Sequence, residues 1–212
     1  MEGREPAAIA IVLEDLIVAS REAEVVAWMR ARAGAAVSPG HASAVVAFVA
    51  PWAKGGLSHP RFLTVFEAVD TMAAAAALAR LDDHDALGRL GSGVFAPLSG
   101  LPRALPGRTT RGLLVGLTDC PDPARLPEFH RWYDEHHAAD VLRSGKYFAG
   151  RRYHRVAGDL PEFAALYETE GSEPDTFRSY LEWPERDRTM TDACAVRHVF
   201  TYERLFSHPT VL

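Results

Sequence analysis

Ile9-Ala10-Ile11-Val12-Leu13-Glu14-Asp15 and Leu113-Leu114-Val115-Gly116-Leu117-Thr118-Asp119 are two short apolar runs, each closing on an aspartate, 104 residues apart. The same offset sets Trp28 on Trp132. Further along, Pro60-Arg61-Phe62-Leu63-Thr64-Val65-Phe66-Glu67 and Pro161-Glu162-Phe163-Ala164-Ala165-Leu166-Tyr167-Glu168 repeat proline, phenylalanine, an aromatic and glutamate at an offset of 101. One loop can absorb the difference between the two offsets. Matches in the same order along both halves of a 212-residue chain predict a tandem duplication.

The local pattern agrees. In the C-terminal half, Gly112 to Thr118 is apolar and β-prone and reads as a strand. Asp119-Cys120-Pro121-Asp122-Pro123 is turn chemistry. Leu126 to Leu142 has helical periodicity, with Pro127 in the first turn, where its missing N–H is tolerated, and Gly145 beyond the end. Tyr147 to Val156 reads as an aromatic-rich strand, Ala157-Gly158-Asp159 as a hairpin turn and Phe163 to Thr169 as the third strand. A second helix runs from Glu173 to about Leu181 or beyond, with Pro184 as breaker or kink, and Ala195 to Phe206 is the fourth strand. The N-terminal half repeats the order, with strands at 8–14, 41–50, 61–69 and 92–98 and helices at 20–34 and 70–88.

The order βαββαβ is the ferredoxin-like arrangement. It predicts an α+β fold of two tandem ferredoxin-like units: a first copy over 1–98, a linker over 99–111 carrying Gly100, Pro102, Pro106 and Gly107, and a second copy over 112–212. Helices cover one face of each sheet, and the other face must be buried. Two copies supplying that surface to each other predict an α+β barrel, with an apolar pocket between the two sheets.

Composition limits the function classes. Hydrophobic residues make up 48% of the chain, enough for a globular core. The net charge is -5 and the basic clusters are short, Arg151-Arg152 and Arg186 with Arg188, so nothing points to nucleic acid. No apolar run reaches the ~18 residues that span a bilayer. Met1-Glu2-Gly3-Arg4-Glu5 is not net basic, and Glu14 and Asp15 interrupt the apolar run that follows, so no signal peptide is expected. Cys120 and Cys194 are too few for a disulfide framework. Reduced thiols and a cytoplasmic location are expected.

The segment Glu128-Phe129-His130-Arg131-Trp132-Tyr133-Asp134-Glu135-His136-His137-Ala138-Ala139-Asp140-Val141-Leu142 resembles the F-x-x-W-Y-D-x-x-H-x-x-[DE] helix of the EthD-like branch of the dimeric α+β barrel superfamily. Gly145-Lys146-Tyr147-Phe148-Ala149-Gly150-Arg151-Arg152-Tyr153 resembles that branch's second strand, and Phe163-Ala164-Ala165-Leu166-Tyr167-Glu168 its third. The chain departs at Ala139, where the family motif usually has proline. The resemblance implies fold more than reaction. The superfamily includes polyketide cyclases, lactone isomerases, cofactor-free quinone-forming monooxygenases, haem-binding relatives and members without assigned activity.

On a helix turning ~100° per residue, Leu126, Phe129, Tyr133, His137 and Asp140 share one arc, with His130 and Val141 at one edge and His136 at the other. Glu128, Arg131 and Glu135 fall opposite. An inward arc holding histidine, tyrosine and carboxylate suits general acid–base chemistry. His137 is the expected acid or base, Tyr133 a proton donor or orienting group, and Asp140 the partner of a histidine. Trp132, His136, Arg152, Tyr167 and His198 are expected substrate contacts. Strand alternation leaves open which of Tyr153, His154, Tyr167, His198, Phe200 and Tyr202 face inward. In the 104-residue register the N-terminal copy has Met29-Arg30-Ala31-Arg32-Ala33 where the C-terminal copy has Tyr133 to His137, which predicts one site per chain.

No metal site is expected, because adjacent His136 and His137 point apart and His130 lies two turns from His137. No dinucleotide is expected either, since Gly88-Arg89-Leu90-Gly91-Ser92-Gly93 lacks the G-x-G-x-x-G spacing. The expected cofactor is none, with haem kept as the exception because relatives bind it through one histidine. We therefore expect a cofactor-free small-molecule enzyme of lyase, isomerase or cyclase type, acting on an apolar carbonyl or aromatic, polyketide-like substrate. The alternatives are a cofactor-independent monooxygenase, a non-catalytic hydrophobic-ligand-binding protein, and a degenerate structural protein with a solid barrel. The expected partners are the substrate and, in a homodimer, a second chain.

Overall fold

In the computed structural model, the described residues are 6–37, 42–50, 60–98 and 108–208. The expected linker at 99–111 falls mostly outside them. The chain clusters into two compact units. The first comprises Met1–Pro97 with Arg155–Leu160 and Arg204–Leu212, the second Leu98–His154 with Pro161–Glu203.

In the first unit β1 (Ala8–Leu16) is followed by α1 (Glu22–Ala36), β2 (Ala44–Val49), β3 (Phe62–Ala68), α2 (Thr71–Ala79) and β4 (Leu87–Leu98). The antiparallel sheet has the order β2-β3-β1-β4. The second unit runs β5 (Gly112–Asp119), α3 (Leu126–Trp132), a π-helical turn (Tyr133–His137), α4 (Ala138–Arg143), β6 (Ala149–Gly158), β7 (Phe163–Thr169), α5 (Asp175–Leu181) and β8 (Ala195–His208). Its sheet has the corresponding order β6-β7-β5-β8.

The two sheets share their registers as well as their order. Ala8 faces Ala68 and Glu14 faces Phe62, while Gly112 faces Thr169 and Thr118 faces Phe163. Val49 faces Phe62 as His154 faces Phe163. The β1–β4 register slips between Leu13 and Glu14, and the β5–β8 register slips between Leu117 and Thr118. A one-residue slip would reverse every side chain between the faces, so each bulge re-aims the strand that follows it.

Apolar side chains explain the layering. Val12, Met29, Phe62, Phe66 and Val94 belong to the core of the first unit. Phe129, Trp132, Tyr133, Phe163, Tyr167 and Tyr180 belong to that of the second. Several expected boundaries are displaced, including the turn expected at Ala157-Gly158-Asp159, which β6 enters as far as Gly158. The helix expected over 70–88 stops at Ala79, and β4 starts at Leu87. Asp70 caps α2 by accepting from the Ala73 N–H at 2.7 Å, and the alanine run carries it onward. No helical pattern survives Leu81-Asp82-Asp83, and the glycines that follow belong to a strand.

At the start of α5, Glu173 is fully buried. It accepts a hydrogen bond from the Tyr147 hydroxyl at 2.9 Å and another from the Phe177 N–H. Burial pushes its carboxyl up to about 7, against the pull of these two donors. A raised folded-state pKa contributes stability that is complete below the unfolded value, near pH 4.5, and is lost as pH rises through about 7. We expect the loss to be on the order of 2–3 kcal/mol. Glu173→Gln keeps an acceptor for Tyr147 and should flatten urea-midpoint curves between pH 5 and 8. A variant with the wild-type slope would exclude this origin. Among the described residues no helix is long and apolar enough to cross a membrane.

Candidate active site

The second unit holds a cavity of about 270 Å³. It lies on the helix-covered side of the sheet, and Gly116 and Thr118 of β5, Tyr167 of β7, and Trp132, Tyr133 and His137 are among its walls. The pocket was expected between the two sheets. The cavity that contains His137 is instead enclosed by one sheet and its own helices.

Strand pairing settles the inward-facing residues. Gly116 pairs with Ala165, and Ala165 with Arg152; Leu114 pairs with Tyr167. Arg152 and Tyr167 therefore share the helix-covered face. Tyr153 pairs with Ala164, Tyr202 with Leu113, Phe200 with Val115 and His198 with Leu117, which places all four on the opposite face. His154 shares the face of Phe163 but reaches outward to Glu162 at 3.6 Å.

The two adjacent histidines sit at the end of a π-turn. The Ala138 N–H donates to the Tyr133 carbonyl, five residues back, so one extra residue is accommodated in the helix. His137 is turned inward, stacked on Trp132 with ring centroids 5.2 Å apart and planes 16° apart, and edge-on to Tyr133 at 5.0 Å. His136 is turned outward, half exposed and 4.0 Å from Asp187. Trp132 Nε1 donates to the Thr189 carbonyl at 3.1 Å, tying the helix to the segment that follows α5.

Burial keeps the inner polar groups of the cavity, His137, Tyr133 and Tyr167, neutral. Burial lowers the His137 imidazole to about 4, with Asp140 opposing and Arg152 and Arg186 assisting. Burial pushes the Tyr133 hydroxyl up to about 12, against Arg152. Burial and the neighbouring Tyr133 push Tyr167 well above its ordinary value. The two hydroxyls are near enough to affect each other's ionisation. Even so, the buried Tyr167 oxygen has no partner in good hydrogen-bonding geometry among the described residues. A buried hydroxyl engaged this weakly has capacity left for a bound polar ligand atom.

Asp140 differs from its expected place. It is buried, yet it accepts from the Tyr180 hydroxyl at 3.1 Å and from Arg143, so it reaches His137 only through its field. Arg152 is also buried but stands behind Tyr133 rather than in the cavity wall. It donates to Asp134 at 2.6 Å, approaches His130 Nδ1 at 3.2 Å and stacks on the Tyr133 ring at 4.1 Å. His198 is exposed and stacked on Phe200. Burial raises the Cys194 thiol to about 11, and neighbouring Arg197 is engaged by Asp119, so nothing activates this cysteine as a nucleophile. Reasoning from sequence missed Tyr180, Arg186 and Arg188, which also line the cavity. In the sequence the two arginines stand out only as a short basic cluster.

The first unit differs at the matching positions. Glu14 occupies in β1 the register position of Thr118 in β5. Arg32 stacks on Trp28 at 4.4 Å, as His137 stacks on Trp132, and clamps Glu14 with two hydrogen bonds of 2.8 and 2.6 Å. Arg32 follows its tryptophan by four residues and His137 by five, the extra residue being that of the π-turn. Contacts thus match His137 with Arg32, whereas a constant sequence offset matches it with Ala33. A buried ion pair holds in the first unit the positions that Thr118 and His137 hold in the second.

Among the described residues no group of three or more His, Cys, Asp or Glu side chains gathers as a metal site. His137 is a neutral imidazole of the kind haem iron takes. A porphyrin, however, exceeds a cavity of about 270 Å³ walled by Trp132, Phe177 and Tyr180. The cavity does not fit haem.

No family model and no curated protein sequence matches the chain. Solved structures do. An anthrone oxidase-like protein aligns with a TM-score of 0.67 at 11% identity, covering 97% of this chain and 94% of its own. A dye-decolorizing peroxidase from Bacteroides thetaiotaomicron aligns at 0.59 and 9% identity over 95% and 93%. A chlorite dismutase from Candidatus Nitrospira defluvii aligns at 0.56 and 12% identity over 94% and 92%. At such identities the likeness is one of fold, and it extends over nearly the whole chain.

Proposed function

We propose that the cavity of the second unit is the active site of a cofactor-free enzyme that moves a proton with His137. Its substrate is an apolar carbonyl or aromatic compound, and the reaction is of lyase, isomerase or cyclase type. The observation that carries this reading is a neutral buried imidazole sharing one mostly apolar cavity with two buried, protonated tyrosine hydroxyls, those of Tyr133 and Tyr167.

The chemistry follows from the protonation states. Neutral His137 accepts a proton from a carbon beside a carbonyl or from a phenol. The Tyr133 and Tyr167 hydroxyls, held protonated by burial, are donors for the oxygen on which charge develops. The imidazolium so formed is costly in this apolar setting unless an anion lies beside it, and the enolate or phenolate is that anion. Returning the proton to another carbon completes an isomerisation. Losing a leaving group completes a lyase step, and attack of the enolate carbon on a second carbonyl completes a cyclisation.

A cofactor-independent monooxygenase is the second reading, favoured by the fold likeness to an anthrone oxidase-like protein. The same deprotonation would give an electron-rich anion that molecular oxygen attacks. A screen of aromatic ketones and phenols by native mass spectrometry, followed by turnover assays without added cofactor, tests both readings. Conversion in the absence of oxygen supports the first and oxygen-dependent conversion the second. Binding without conversion under either condition would leave a ligand-binding protein.

We also propose that the chain is a tandem duplication of a ferredoxin-like unit, in the EthD-like manner. The equal sheet orders, registers and bulge positions support this. The free thiols of Cys120 and Cys194 support a cytoplasmic setting.

A further inference from the structure

The rim of the cavity holds charge that the proton-transfer chemistry does not use. Arg186 and Arg188, both lining the cavity, lie in the segment between α5 and β8. Neither has a carboxylate partner among the described residues, whereas Arg125, Arg143, Arg152 and Arg197 of the same unit each do. The carboxylate between them is occupied: Asp187 accepts from the Thr189 N–H at 2.8 Å and faces His136. The Arg186 guanidinium lies over the Tyr180 ring at 5.6 Å, and its buried Nε has no hydrogen-bond partner among the described residues. Tyr180 is itself anchored through its hydroxyl to Asp140. The Arg186 guanidinium therefore lies beside an anchored ring with its Nε unused among the described residues. Around the same mouth Leu181, Met190, Val196 and Val199 are large hydrophobics left exposed.

Building on the function proposed above, we propose that the substrate is an amphipathic acid: an aromatic or polycyclic body seated in the cavity, with a carboxylate held at the rim by Arg186 and Arg188. A planar guanidinium presents paired donors that match a carboxylate, and a stacked one loses little freedom on binding it. The exposed apolar side chains at the mouth would cover the part of the body that extends beyond the enclosed volume. A carboxylate there also offsets the positive field of Arg186 on His137 and so favours the imidazolium that proton transfer creates.

The test uses the full chain and three probes: naphthoic acid, its methyl ester and naphthol, with binding read by isothermal titration. We expect the acid to bind about tenfold more tightly than the ester, the scale of a charge-assisted hydrogen bond. The preference should shrink at high salt, as expected for a partly exposed rim. Arg186→Gln should abolish it, Arg188→Gln should reduce it, and Arg186→Lys should keep part of it. Equal binding of acid and ester by the wild type, or an unchanged preference in Arg186→Gln, would overturn the acid assignment without touching the role of His137. Binding of none of the three would overturn this assignment and the proposed function together.

Discussion

Replacing Arg32 by alanine is expected to destabilise the protein by about 3–5 kcal/mol, measured by urea unfolding at neutral pH. Arg32 and Glu14 form a bidentate pair whose side chains are 6% and 4% exposed. Removing the guanidinium leaves a carboxylate buried among apolar neighbours, and its desolvation is then uncompensated. The paired substitution Glu14→Leu with Arg32→Met should recover most of the loss, because an apolar pair fills the same space without the desolvation of two ions. If Arg32→Ala costs less than about 1 kcal/mol, the range of an exposed pair, the pair is not buried in the way described.

The second large effect concerns His137. His137→Ala should lower turnover of any substrate found by about two to four powers of ten, the usual contribution of a positioned acid or base. Binding of that substrate should change far less, since Trp132, Tyr133 and Tyr167 still wall the cavity. The loss should therefore appear in kcat more than in KM. His136→Ala, at an exposed position on the other side of the π-turn, should leave turnover unchanged. Equal losses from both substitutions would mean that the helix, and not the imidazole, had been disturbed.

Much of the fold could be read from side-chain patterns, for identifiable reasons. Ile9 to Leu13 and Leu113 to Leu117 are apolar runs bounded by polar or turn residues, and strands lie over both. Phe163–Thr169 matched its expected bounds. β4 was harder because it contains Gly88, Gly91 and Gly93, residues that weaken a strand signal. The sheet needs two of them small. A Cβ on Gly91 would come within 2.6 Å of Leu160, and one on Gly93 within 2.7 Å of the Phe95 ring. Such requirements arise from packing and leave no periodic trace.

The candidate site was legible in the same uneven way. Trp132, Tyr133, His137 and Tyr167 came from motif and spacing, and all four line the cavity. His136, at the edge of the helical arc, turns outward, and the π-turn that ends beside it is not announced by the sequence. The engagement of Asp140 by Arg143 is an i,i+3 pair within α4, but its engagement by Tyr180 joins elements about forty residues apart in sequence, which helical periodicity does not relate. Arg186 and Arg188 lie in a segment without regular structure, so no pattern aimed them at the cavity.

Proton transfer itself is the most direct test of the account. The tightest-binding aromatic ketone from the screen is held with the protein in deuterium oxide under nitrogen. Deuterium entry at the carbon beside the carbonyl is followed by NMR. The account predicts exchange accelerated by the wild-type protein and reduced to the buffer rate by His137→Ala at the same bound fraction. Equal exchange with the two proteins would contradict it.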